Sequence, residues 1–144
     1  MEISLTLLGL AIAGATLAAI ILSITFPAQI LWPPLTYTRW TPILVWVPTF
    51  TLFGVLLVLG VLGWGQVELP RWVRIGLEIP LIVLGNVAVW MEVSRFGIPQ
   101  TGGEVGSLKT DGLYRYSRNP QYVADTAMIA GWMLLTAAPL VFLV

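Results

Sequence analysis

Two long runs without one charged side chain, residues 3–26 and 43–65, set the limits on what this chain can fold into. At a helical rise of about 1.5 Å per residue, each is long enough to cross the roughly 30 Å hydrocarbon core of a bilayer. Inside lipid every backbone amide must be bonded within its own segment, so these runs are predicted to be helices. The rest of the sequence agrees. It is 58% hydrophobic and only 10% charged, where a soluble domain carries about a quarter charged residues. A surface this poor in charge suits lipid rather than water. The predicted fold is an all-α integral membrane protein of about four transmembrane helices, with a polar loop before the last. Its 144 residues form a single membrane domain.

The first run has Glu2 where a secretory signal would carry positive charge. Its uncharged stretch also exceeds the usual apolar region of a signal, so it reads as a retained span. Pro27, Pro33 and Pro34 end it, and Trp32, Tyr37, Arg39 and Trp40 follow in the mixture typical of a membrane interface. Pro48 falls in the first turns of the second span, where a missing donor costs little. A third span, residues 75–91, contains Glu78, Pro80 and Asn86. Glu78 follows Arg74 by four residues, so an interfacial ion pair on one helix face is expected, with a ligand-facing carboxylate as the other reading. The polar segment 92–120 comes next, and a fourth span covers 121–144. Pro139 leaves two forms open for that span: one kinked helix, or a helix to Thr136, a bend, and a short further element.

Five of the seven basic residues (Arg39, Arg95, Lys109, Arg115 and Arg118) fall in the turns after spans one and three; Arg71 and Arg74 fall in the turn after span two. The excess of basic residues in short cytoplasmic loops then predicts a cytoplasmic polar segment, with both termini on the opposite side.

Composition also removes chemistries. There is no cysteine and no histidine. No thiol nucleophile, imidazole base or thiolate metal site is available, and no metal site is expected. Seven basic against seven acidic side chains leave no basic footprint for nucleic acid. Chemistry must come from carboxylates, hydroxyls, amides, arginines or a bound cofactor; no catalytic residue is assigned.

The densest polar stretch runs from Leu108 to Tyr122, directly before the last span. Pro120 suits the first helical turn and Asn119 the N-cap. The first amides and the helix dipole would face a ligand at the interface. Arg115 and Arg118 add positive charge, and Tyr114, Tyr116 and Tyr122 add ring faces and hydroxyls. Such a corner suits a phosphate, a carboxylate or a nucleoside. Asp125, seven residues after Arg118, reads first as a buried partner of Arg118 or Arg115 and second as a carboxylate for the site.

The order of these residues resembles the isoprenylcysteine carboxyl methyltransferase and phospholipid methyltransferase superfamily, whose signature is approximately L-x-T-x-G-x-Y-x-x-x-R-H-P-x-Y-x-G. Leu108, Thr110, Gly112, Tyr114, Arg118, Pro120 and Tyr122 fall in register with it, and Arg95-Phe96-Gly97 and Gly131 sit where relatives often have similar residues. The resemblance implies methyl transfer from S-adenosylmethionine to a lipid or lipid-like acceptor that enters sideways from the bilayer. It further implies a cofactor pocket at Gly112, Tyr114, Arg118, Asn119, Pro120 and Tyr122. Three departures stand out. Asn119 replaces the usual histidine, Ala124 replaces the usual glycine, and the sequence stops at Val144 within an apolar run. Relatives continue with a further membrane helix and a cytoplasmic tail whose paired glutamates complete the cofactor site. The alternative expectation is therefore a catalytically silent relative serving as an accessory subunit of a larger membrane complex, and a homo-oligomer that completes a shared site is also expected as an option.

Overall fold

The computed structural model describes residues 1–26, 28, 36–101, 111–117 and 119–144, with the backbone alone for residues 96 and 98–101. Among the described residues every regular element is helical. In chain order these are α1 (Glu2–Thr25), α2 (Thr41–Leu62), α3 (Arg71–Gly76), α4 (Glu78–Thr101), a 3₁₀ turn (Gly112–Arg115), α5 (Pro120–Thr136) and α6 (Pro139–Leu143). Among the described residues three stretches are long and apolar enough to cross a membrane: Glu2–Thr25, Thr41–Leu62 and Arg71–Arg95. Large apolar side chains such as Leu17, Phe50, Val61 and Leu84 point outward from them. The protein is an integral membrane protein, and these outward faces are what lipid would cover.

The second helix starts two residues before the expected residue 43, still within the uncharged stretch between Arg39 and Glu68. The Thr38 amide donates to Thr41 Oγ1 at 3.0 Å, which fixes the chain just ahead of the first turn. Pro42 then occupies the start of α2, where its missing donor has no partner to lose.

The third span is broken near its beginning. Pro80 has no amide for the Gly76 carbonyl, and its ring crowds that carbonyl. The chain accordingly leaves α3 at Gly76, turns through Leu77 and starts α4 at Glu78. This break corrects the expected Arg74–Glu78 ion pair. Arg74 instead donates from Nε to the Leu135 carbonyl at 2.8 Å and lies 5.3 Å from the Trp64 ring centre. Glu78 is buried at the head of α4, with no ion pair among the described residues. At its far end α4 changes direction at Gly97, whose φ of 73° and ψ of 163° are not helical.

Of the two forms open for the fourth span, the broken one is found. α5 ends in Ala137, which is left-handed at φ 47°. Pro139 forbids continuation, since it would face the Leu135 carbonyl that Arg74 already occupies. The helix end is then closed from outside. The Gly65 amide donates to Thr136 O at 2.6 Å, and the Val67 amide to Ala137 O at 2.9 Å. With Arg74 these donors satisfy carbonyls that a helix C-terminus leaves orphaned, and the guanidinium also complements the negative end of the dipole. α6 lies on α2, where Val141 and Ala138 join Val55, Leu56 and Leu59 in the core. Trp132 ties α5 to α2 through Nε1 and the Leu56 carbonyl, 2.9 Å apart.

The closest helix pair is α4 and α5, and small residues permit it. A Cβ on Gly131 would stand 3.0 Å from the Glu78 carbonyl oxygen and 2.7 Å from Ile82 Cγ1. A Cβ on Gly85 would stand 2.7 Å from both the Ala124 carbonyl oxygen and Met128 Cγ. Ala124, expected as a substitute that still allows close packing, is 4% exposed within this seam. The two contacts make the helices antiparallel and fix their register. The later turns of α4 run alongside the start of α5.

Candidate functional site

That register brings Glu92 to the level where α5 begins. Glu92 is 1% exposed, and neither of its carboxylate oxygens accepts a hydrogen bond among the described residues. Arg95, one turn on, places Nη1 3.8 Å from Glu92 Oε1 and Nη2 3.9 Å from Asp111 Oδ2. Both separations are those of ion pairs without a hydrogen bond. Arg95 is about half exposed and shared between two acids, so it compensates Glu92 only in part.

The motif turn rests against this arginine. Gly112 has a φ of 60°, and a Cβ there would overlap the Arg95 guanidinium. Glycine is required on both counts, the left-handed backbone and the space. The turn closes with Tyr114 N donating to Asp111 O at 3.2 Å and Tyr116 N donating to Leu113 O at 3.0 Å. Tyr114 is half-buried as a result, while Tyr116 is 87% exposed and points away. Burial, first, and then the negative charges of Glu92 and Tyr122 push the Tyr114 phenol above its usual range.

Asn119 takes the N-cap position of α5 with Pro120 in the first turn. Its side chain makes no capping bond; its own amide donates to Ser117 Oγ at 3.2 Å. Pro120 is buried, whereas Asn119 and Tyr122 are exposed. The structure thus draws Gly112 and Tyr114 together at Arg95, with Tyr122 near enough to act on Tyr114, and leaves Asn119 at the rim. Arg118 lies outside the described residues, as do Leu108, Lys109 and Thr110. Asp125 has no cation within ion-pair distance among the described residues, so the expected pairing with Arg115 is not made. The described residues also contain no group of acids able to hold a metal.

Glu92 was not among the residues singled out by sequence, where it merely opens the polar segment. The available signal was its spacing from Arg95, three residues on at the end of an apolar helix.

The model of the phospholipid methyltransferase family matches residues 73–144. This match covers half of the chain and takes in α4, the motif turn, α5 and α6. The chain belongs to the phospholipid methyltransferase family. No curated protein and no solved structure matches it. Membership makes it a membrane methyltransferase-family protein, as the signature between Leu108 and Tyr122 implied.

The Tyr114 shift has a consequence in alkaline solution. A buried phenol held neutral contributes stability that is intact below the ordinary value of about 10 and is lost as pH rises through the raised value. In an ultraviolet titration of the folded protein, Tyr114→Phe should remove the phenolate signal that develops last among the four tyrosines. Loss of an early step instead would show that Tyr114 is not buried beside Glu92.

Proposed function

We propose that the protein transfers a methyl group from S-adenosylmethionine to a lipid-like acceptor, with the cofactor held at the junction of the 111–117 turn and α5. The observation that carries this reading is the family match over the motif and α5, joined to a site whose donor set suits that cofactor. Glu92 offers a cationic group carboxylate oxygens that accept no hydrogen bond among the described residues. Tyr114 offers a half-buried ring face, which also attracts cations. The head of α5, where the Asn119 side chain makes no capping bond, suits a carboxylate. When bound, the cofactor would supply an electrophilic sulfonium methyl.

The chain's own contribution is alignment and the exclusion of water, which are the main demands of such a transfer. Gly112 lets the turn seat against Arg95, and Pro120 starts α5 at a fixed angle. Arg118 enters through the motif, as a positive group for the cofactor's carboxylate. For the acceptor, α2, α4 and α5 leave a groove of about 210 Å³ lined by Phe53, Leu57, Ile82, Asn86, Met128 and Trp132. Its walls are apolar apart from the Asn86 amide and the indole of Trp132, in keeping with a hydrocarbon tail. The excess of basic residues around the motif segment supports a cytoplasmic site, with the termini on the other side.

Asn119 favours the second reading, a silent relative within a larger membrane complex or a homo-oligomer, because an amide cannot titrate where the family usually has histidine. Calorimetric titration of the purified protein separates the two. The enzyme reading predicts saturable S-adenosylmethionine binding that Arg118→Ala abolishes. No binding at millimolar cofactor, together with co-purification of other membrane subunits in fixed stoichiometry, would establish the accessory reading instead. The chain has no cysteine, so a single Ser107→Cys change reports sidedness. An impermeant maleimide should label it only after the membrane is opened; labelling of intact cells would reverse the orientation.

A further inference from the structure

Among the described residues, the buried carboxylate whose oxygens both lack a hydrogen bond is that of Glu92. An ion removed from water costs several kcal/mol unless it is paired and hydrogen-bonded. Glu92 is 1% exposed, yet both oxygens lack a hydrogen-bond donor among the described residues. Its nearest cation among the described residues, Arg95 at 3.8 Å, is half in solvent and divided with Asp111. A residue kept only to anchor Arg95 would be expected to meet it at hydrogen-bonding distance, at the surface, where the cost is small.

The position of Glu92 gives it a different use. It lies at the level where α5 begins, one helical turn from the arginine that seats Gly112, and its charge is felt by the Tyr114 hydroxyl. The half-buried Tyr114 ring and a buried carboxylate with no donor among the described residues therefore lie on either side of the contact between Arg95 and the motif turn. That pairing favours a cation: the ring attracts it through its quadrupole, and the low local dielectric strengthens its attraction to the acid. An anion is disfavoured there by the same charge.

We propose that Glu92 is the counter-ion for the positively charged end of the bound nucleoside cofactor, taking its ammonium or sulfonium centre against the Tyr114 ring. This assignment rests on the reading of the site as an S-adenosylmethionine pocket. The cation completes the coordination that Glu92 lacks, and Arg95 is left to hold the motif turn through Asp111. Glu92 is thus a binding residue, and Arg95 a positioning residue.

The test uses full-length protein in detergent and three ligands. S-adenosylmethionine carries both cations, S-adenosylhomocysteine keeps only the ammonium, and methylthioadenosine carries neither. Glu92→Gln preserves shape and removes the charge. It should weaken S-adenosylmethionine about tenfold or more while changing methylthioadenosine by less than about twofold. A parallel loss for S-adenosylhomocysteine assigns the ammonium; an unchanged value assigns the sulfonium. The melting temperature without ligand should hold or rise in Glu92→Gln, because an incompletely compensated buried charge is gone. Equal weakening of all three ligands, or none of any, would overturn the proposal, as would a lower melting temperature with the cofactor's affinity unchanged. Failure of the unaltered protein to bind any of the three would instead remove the cofactor reading itself, and this inference with it.

Discussion

The close approach of α4 and α5 is the contact on which the rest of the structure depends. In lipid no hydrophobic force drives two apolar helices together, so packing must supply the association. Gly85 and Gly131 remove the side chains that would hold the backbones apart, and Ala124 keeps the seam narrow. Everything at the polar end follows from that register. It sets Glu92 beside the start of α5 and so brings the motif turn over the end of α4. The opposite end is secured separately, by Gly65, Val67 and Arg74 donating to the last carbonyls of α5.

The same architecture concentrates charge where lipid gives way to water. Arg95 bridges toward Glu92 on one side and Asp111 on the other, and Gly112 has given up its side chain to admit the guanidinium. One side chain thus links the end of α4 to the motif turn. The acid beneath it accepts no hydrogen bond among the described residues.

Much of this was legible in the sequence, and the physical reasons are clear. Uncharged runs of membrane length admit only helices, so α1 and α2 were predictable to within a few residues at each end. The place of Pro120 and Asn119 at the head of α5 followed from the fixed φ and missing donor of proline. What failed was an assumption of continuity. The Arg74–Glu78 spacing suggests a pair only if one helix runs through both, and Pro80 ends that helix at Gly76. Arg74 then finds a carbonyl far along the chain, a partner that no local pattern could name. The importance of Glu92 was hidden for a related reason. Its burial comes from the packing of α5 against α4, and packing between helices distant in sequence leaves only a faint mark on either.

The central claim is the register of α4 on α5, and a disulfide tests it most directly, since the chain has no cysteine to confuse the result. The Asn86 and Met128 side chains meet across the seam, with Nδ2 3.5 Å from Sδ, so cysteines at these two positions face each other without entering the glycine contacts. Val87 points outward, 51% exposed. In membranes under mild oxidation, Asn86→Cys with Met128→Cys should cross-link, and Val87→Cys with Met128→Cys should not. A bond formed by the second pair and not the first would mean that α5 meets another face of α4, and that Glu92 does not lie at the head of α5.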